Sequence, residues 1–349
     1  MIEENPFIDA VILDFTDAQI PEFLSDPQGN GFRNLHTRFS APSVGKSKSG
    51  SFKYAVPLHE AFPLSRYHLP TILHHPFTVI LSDFGCPYGC RFCYLQRVEH
   101  KLRDLENLRE ELEHIRRLGI RELLFMDASF GSSRKHTMRV CDLLQSVSND
   151  FSWVCDMRVD AVDEQLLTAM KTAGCHTIML GVETPNIEVL RRHGKPCSNE
   201  QTFEAFRLAA RLGIRTLAHF IIGLSGETEE STENLIDFAI ELDPTFASFN
   251  DARPVWNTTF REEVVNSGWV MDDGVEIGRG RFYPVWESPD LPRGTVWRLR
   301  NKAVRSFYLR PSYLLRQLAG IRTFYQMKTL LRQGLDTISE IFFSLLRRG

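Results

Sequence analysis

The chain of 349 residues contains no apolar run of the roughly 18–20 residues that a helix needs to cross a bilayer. It has no internal repeat and no low-complexity tract. Its formal net charge of only −3 gives no basic excess of the kind that a nucleic-acid partner calls for. Cysteine is scarce and odd in number at seven, so the chain is not a small disulfide scaffold. The acidic opening Met1-Ile2-Glu3-Glu4 is unlike a signal peptide. These absences lead to the expectation of a cytoplasmic protein whose thiols stay reduced and available to a metal. A hydrophobic content of 43% with 24% charged residues is ordinary for a soluble globular chain. Its length allows one large α/β domain with extensions, or two domains.

Three of the seven cysteines fall within eight residues, in Ser82-Asp83-Phe84-Gly85-Cys86-Pro87-Tyr88-Gly89-Cys90-Arg91-Phe92-Cys93-Tyr94. The apolar, β-branched run Phe77–Leu81 ahead of them reads as a buried strand. Gly85, Pro87 and Gly89 interrupt regular structure, so the thiols sit on a loop that curls back on itself. Thiolates converging in this way suit an iron–sulfur cluster or a zinc ion; three unrelated core thiols are the plain alternative. A structural zinc wants a fourth Cys or His at matching spacing. His100 is the nearest, and it lies beyond the loop in a stretch that turns helical. Three ligands on a four-iron cluster would leave one iron open to a substrate or cofactor.

The Cys-x3-Cys-x2-Cys spacing, with Phe92 before the last cysteine and a strand ahead of the loop, resembles the radical S-adenosylmethionine (SAM) superfamily. The resemblance implies a 4Fe–4S cluster on Cys86, Cys90 and Cys93, with the amino and carboxylate groups of SAM on the open iron. It implies reductive cleavage of SAM to methionine and a 5′-deoxyadenosyl radical that takes hydrogen from an unactivated carbon. Phe92 and Tyr94 are then expected beside the cofactor. A flavodoxin or ferredoxin-type reductant and an anaerobic or microaerobic setting follow from the same resemblance.

From Phe77 onward, strand-like and helix-like patterns alternate. The strands are expected at Phe77–Leu81, Glu122–Met126, Ser152–Asp156, Thr177–Gly181, Thr216–Ile222 and Phe246–Phe249. The amphipathic helices between them fall at Leu102–Leu118, Ser133–Ser146, Glu164–Ala173, Thr202–Leu212 and Glu229–Glu241. Such βαβ succession makes a parallel sheet that curls into a full or partial barrel, with chemistry at the C-terminal strand ends. The expected fold is therefore α/β. It is a partial (β/α)6 TIM-like barrel over residues 77–262, with a short N-terminal extension over 1–76 and a mainly helical, basic C-terminal extension over 263–349. Within the first extension, strand-like Phe7–Asp14, helix-like Ala18–Leu24, a loop over Gly29–Gly50 and a Pro-punctuated connector Val56–Pro70 across the barrel rim are expected.

The strand ends give the remaining site candidates. Asp127 and Ser129 follow the second strand, where superfamily members place a group for the cofactor's amino end; they could equally cap the following helix. Arg158 ends the third strand, suited to a carboxylate of cofactor or substrate, or to a rim pair with Asp156 or Asp160. Gly-Val-Glu183-Thr resembles a strand end at which the superfamily's cobalamin-type branch contacts SAM; a structural pair with Lys195 is the alternative. Gly223-Leu-Ser-Gly226-Glu-Thr228 is similar to the same branch's Gly-Leu-Pro-Gly-Glu-Thr turn. Its glycines would approach the adenine, or serve the architecture alone, and Thr228 would cap a helix. His219 reads first as a satisfied core histidine, with a proton donor or acceptor reaching the interior as the alternative. Cys141, Cys155, Cys175 and Cys197 lack Cys-x2-Cys spacing and read as buried hydrophobes, which argues against an auxiliary cluster.

The segment Arg293–Gly349 holds twelve Lys/Arg against Asp336 and Glu340, a balance of +10 on a body that otherwise sums to −13. Residues 302–313 resemble the tail of cobalamin-type radical enzymes of the anaerobic magnesium-protoporphyrin ester cyclase kind. Leu314, Leu318, Ile321, Tyr325 and then Leu335, Ile338, Phe342 and Leu345 recur at helical spacing. Such helices could dock with a solvated basic face, cover the barrel mouth, meet a substrate's acids or lie on an anionic bilayer as a peripheral contact. No Asp-x-His-x2-Gly loop occurs, so no cobalamin is expected. The reading is an oxidoreductase acting on a large, apolar small molecule, for example a tetrapyrrole whose methyl group becomes formyl. A lipid, isoprenoid or peptide substrate is the alternative, and a non-catalytic iron–sulfur or haem-handling protein a further one.

Overall fold

In the computed structural model, the described residues are 5–16, 18–39, 51–271, 286–321, 325, 327–332 and 334. The tail positions Leu335, Ile338, Phe342 and Leu345, and residues 40–50 of the expected Gly29–Gly50 loop, lie outside them, while Leu35–Thr37 within that loop forms a short strand. Six parallel strands form the centre: β1 (Phe77–Ile80), β2 (Glu122–Phe125), β3 (Ser152–Arg158), β4 (Cys175–Glu183), β5 (Arg215–Ile222) and β6 (Phe246–Asp251). They pair strictly in sequence order, with β1 and β6 at the two edges, so the barrel is open. All six sequence-predicted strands are present; β3 and β4 extend further toward the site than expected.

The helices that return the chain are α1 (Leu105–Arg117), α2 (Arg134–Val147), α3 (Glu164–Thr172), the short α4 (Ile187–Arg192), α5 (Asn199–Arg211) and α6 (Glu229–Leu242). Their starts are written in sequence. Asp104 accepts from the Asn107 N–H, Ser198 and Gln201 form a reciprocal capping box, and Thr228 does the same with Ser231. Alternation along the strands splits the core in two. Leu123, Phe125, Trp153, Cys155, Ile178 and Leu180 face the helices, with Cys141 and Cys175 in the same layer. Phe77, Leu124 and Val154, with Met179 and Ile72, fill the inside of the barrel. Phe125, Phe130 and Trp153 meet at 5.0–5.1 Å and are fully buried, each contributing about 1.5–3 kcal/mol by burial.

The Pro-punctuated connector runs beside the edge strand, where His59 meets Thr78 of β1 at 2.7 Å and Glu111 of α1 at 2.9 Å. The residues after it pass under the N-terminal face, where the Leu73 and His74 N–H groups donate to Glu122 at 3.1 and 3.3 Å. At the other edge, α8 (Arg293–Tyr308) follows α7 (Thr259–Asn266) and lies along β6. Tyr308 Oη donates to the Ala247 carbonyl at 2.6 Å, and Arg300 Nε to the Phe249 carbonyl at 3.1 Å. An edge strand left with free carbonyls invites mispairing; the C-terminal extension covers it. Its cations face acids of the body: Arg298 on Glu229, Lys302 on Glu233, and Arg310 and Arg316 on Asp243. Among the described residues no helix is long and apolar enough to cross a membrane.

Candidate active site

The loop after β1 carries Cys86, Cys90 and Cys93 as free, half-buried thiols. Gly85 has a φ of +79°, and a Cβ there would stand 2.1 Å from the Glu99 carbonyl oxygen, so only glycine passes this point. Further on, the Arg91 N–H donates to the His193 carbonyl at 2.9 Å, and the Phe260 N–H donates to the Arg91 carbonyl at 3.0 Å. Phe92 packs on the His193 ring at 6.0 Å. The loop is thereby held against the turn after β4 and against α7.

The thiols open onto a cavity of about 650 Å³ at the C-terminal ends of the strands. This lies within the roughly 300–1,000 Å³ usual for cofactor sites. Phe92, Tyr94, Asp127, Ser129, Arg158 and Glu183 all line it, and Tyr94 stands exposed at the rim. The turn glycines do not: Gly223 backs onto Val296 of α8, and Gly226 onto Val189 and Arg192. Both have φ above +90°, and they shape the turn, whose Leu224 reaches the cavity instead.

Three lining residues have partners that redefine them. Asp127 is buried and accepts from the Ser82 and Asp83 N–H groups at 2.7 and 3.0 Å and from the Ser82 hydroxyl. It caps no helix; it fixes the point where β1 gives way to the cysteine loop. Burial, and then the neighbouring Asp83 carboxylate, push its pKa well up. Arg158 gives its fork to Asp160, with Nε–Oδ1 at 2.8 Å and Nη2–Oδ2 at 2.7 Å, so the rim pair forms. Glu183 pairs with Lys195 at 2.5 Å, and Lys195 also donates to the Gly181 carbonyl at 2.8 Å. Glu183 has a φ of +63° at a break in the β4–β5 register, an uncommon state for a non-glycine residue and one that gathers at functional sites.

The wall facing the cysteines takes the second of the two readings of His219 and was otherwise missed by sequence reasoning. His219 is no core histidine: it lines the cavity, with Nδ1 2.8 Å from Ser248 Oγ and Nε2 3.3 Å from Asp156 Oδ1. Asn250, Asp251 and Arg253 continue this wall from β6. The period-two alternation His219/Ile221 and Ser248/Asn250 was the available signal. Cys197 is also set apart from the other core cysteines, lying 3.7 Å from Arg158 Nη2.

Whether these residues fit a cluster with SAM turns on their chemistry. Among the described residues no three His, Cys, Asp or Glu side chains close on a single-ion site. A cubane cluster asks for something else, namely a separate thiolate for each of three irons. Burial pushes all three thiol pKa values up, so the metal-free loop holds protons that loading must displace. Ser129 Oγ lines the cavity and is buried without a protein partner, as expected of a hydroxyl kept for a ligand. The donor set and this orphaned hydroxyl fit.

Known proteins agree with this geometry. Residues 82–239 match the family model of the Radical SAM superfamily. The chain is 30% identical over 271 residues to an uncharacterized methyltransferase of Pyrococcus horikoshii, covering 75% of this chain and 57% of that protein. It is 26% identical over 234 residues to the anaerobic magnesium-protoporphyrin IX monomethyl ester cyclase of Cereibacter sphaeroides, covering 65% and 38%. The chain spans about half the length of the curated relatives it matches. Among solved structures, the radical SAM methyltransferase TsrM from Kitasatospora setae, with cobalamin and a 4Fe–4S cluster bound, superposes with a TM-score of 0.55 at 19% identity. That match covers 68% of this chain and 52% of TsrM. Residues 82–239 are thus a radical SAM domain on an open parallel barrel, with homologues in the methyltransferase and cyclase branch.

Proposed function

We propose that this chain is a radical SAM enzyme that takes hydrogen from a large, mainly apolar substrate. The observation that carries the reading is the presence of three free thiols on one loop at the mouth of a cavity built from the C-terminal strand ends. Cys86, Cys90 and Cys93 would hold a 4Fe–4S cluster, with Ser129 and the Glu183–Lys195 pair offered to the polar groups of SAM. Bound there, a reduced cluster and SAM would supply one-electron cleavage chemistry and a 5′-deoxyadenosyl radical for hydrogen abstraction. The chain's own part is placement and exclusion of water. Phe92, Tyr94, Met126 and Leu224 give the cavity an apolar face, while Asp156 and His219 stand ready opposite to bind a polar substituent or move its proton.

The apolar face and the likeness to an ester cyclase that acts on magnesium-protoporphyrin support a tetrapyrrole-sized substrate. Oxidation of a peripheral methyl group is the reaction we put first. The reductant in this reading is a flavodoxin or ferredoxin, the setting is cytoplasmic, and no nucleic acid takes part. The cofactor set is cluster and SAM without cobalamin. A second reading, methyl transfer, is favoured by the Pyrococcus relative named a methyltransferase.

The experiment is anaerobic reconstitution with iron and sulfide, reduction, and addition of SAM with candidate pigments. The expected result is 5′-deoxyadenosine above the substrate-free rate. Zinc or no metal at the site, or cofactor bound without cleavage, overturns the enzyme reading. Appearance of a labelled SAM methyl group on the pigment only when cobalamin is added would select methyl transfer.

A further inference from the structure

The three thiols sit on one loop, and a side chain of the barrel reaches one of them. Cys90 takes its donor from the barrel: Arg158 Nη1 lies 3.4 Å from its sulfur. The guanidinium is gripped on its other sides. Asp160 holds Nε and Nη2 at 2.8 and 2.7 Å, and the ring of Tyr88 lies 4.1 Å beneath the guanidinium carbon. A planar fork fixed by a bidentate carboxylate has its remaining N–H groups aimed by that grip. Here Nη2 also lies 3.7 Å from the Cys197 sulfur, and Nη1 points at the Cys90 sulfur on the loop.

We propose that Arg158 is a positioning residue that donates an N–H···S hydrogen bond to the Cys90 thiolate and thereby raises the reduction potential of the cluster. The inference rests on the cluster reading above. Reduction places further negative charge on the cluster and its thiolates, so a donor aimed at sulfur stabilises the reduced form more than the oxidised one. Asp160 offsets most of the arginine's charge, which leaves the directed N–H as the part that distinguishes the two states. Burial would by itself lower the Arg158 pKa, but the Asp160 carboxylate outweighs it, so the group stays charged throughout.

The test is a redox titration of the reconstituted full chain, followed by electron paramagnetic resonance, with iron and sulfide counted in every sample. In Arg158→Met at full loading the midpoint should move to a more negative value than in the wild type. In Arg158→Lys, which keeps the charge but cannot grip Asp160 and reach Cys90 together, it should fall between the two. An unmoved midpoint in fully loaded Arg158→Met overturns the assignment, and so does a wild-type midpoint in Arg158→Lys. Should Arg158→Met take up no iron, the Lys variant alone decides by the same criterion. A wild type that fails to take up iron and sulfide sinks the cluster reading itself, a different result from a loaded cluster indifferent to Arg158.

Discussion

Glu122 and Asp127 flank the same strand, β2, one at its start and one just past its end, and both carboxylates are buried. Each accepts two backbone N–H groups. Their remaining neighbours differ in sign. Glu122 receives His176 Nε2 at 2.8 Å, and burial lowers the pKa of the nearby Arg215 to about 10 while Glu122 works to hold its charge. Asp127 instead faces Asp83, a like charge, and Asp83 Oδ1 is buried without a partner. At the N-terminal face the buried Glu122 is matched by donors, though His75 Nε2 nearby is buried without a partner. The C-terminal face carries an orphaned hydroxyl, a left-handed glutamate and a crowded acid pair, all facing or bordering the cavity. Unsettled polar groups are tolerated where a ligand completes them, and the stability that tolerates them is built at the other end.

Substitution should separate the two faces. Alanine at Cys86, Cys90 or Cys93 is expected to abolish the visible absorption of the reconstituted protein, whereas Cys141→Ala, in the helix-facing core, should keep it. The melting temperature of the metal-free protein should hardly change in the loop variants. Glu122→Ala should do the reverse. It strips a buried His and two N–H groups of their acceptor, a loss of about 3–5 kcal/mol for a broken buried charge network. Protein that remains folded should still load iron. Cluster loss in Glu122→Ala at unchanged stability would dissolve the distinction.

Loading itself should depend on pH with a known sign. Burial raises all three thiol pKa values, so the thiols of the metal-free loop are protonated at neutral pH. Metal binding needs thiolates, and below its pKa each thiol loses about tenfold in thiolate per pH unit. Reconstitution followed by absorbance should therefore speed up from pH 7 to pH 9. A flat profile would mean that the thiolates are already formed and that burial does not govern them.

The barrel was legible in sequence because its signals are local: β-branched runs such as Phe77–Leu81, the cap at Thr228, and a three-cysteine loop placed after a strand. Residues whose roles depend on distant partners were not. His219 is a cavity residue only because β3 and β6 bring Asp156 and Ser248 beside it. Gly223 and Gly226 matched a motif, but α8, far along the chain, occupies the space that Gly223 faces. Arg158 and its rim pair with Asp160 were readable at the strand end, but the Cys90 sulfur sixty-eight residues back was not. A docking helix was readable in the basic tail, but its partners Glu229 and Glu233 on α6 were not.

Among the cavity residues, Ser129 gives a finer contrast. Its hydroxyl has no protein partner, so Ser129→Ala loses no hydrogen bond and should leave the unfolding free energy of the metal-free protein unchanged or slightly higher. If the hydroxyl meets SAM, the same change should weaken SAM binding by the worth of one hydrogen bond, about 0.5–1.5 kcal/mol or roughly 2–12-fold. Calorimetric titration of the loaded protein reads this directly. Equal affinity in both proteins would remove Ser129 from the site while leaving its burial unexplained.

The smallest effect belongs to the helix that covers β6. Lys302 and Glu233 are partly exposed, and such pairs contribute about 0.2–1 kcal/mol, screened by salt. Lys302→Ala should therefore shift the melting temperature slightly at low ionic strength and not at all in high salt. Tyr308→Phe removes something of a different kind: the hydroxyl that donates to the Ala247 carbonyl at 2.6 Å and accepts its N–H at 3.2 Å on the edge strand. Its cost, about 1–3 kcal/mol for buried groups left unpaired, should persist in high salt. If both variants instead respond alike to salt, the extension is held by charge rather than by its seal on the sheet edge. The C-terminal segment would then be an adjustable attachment and not part of the barrel's stable wall.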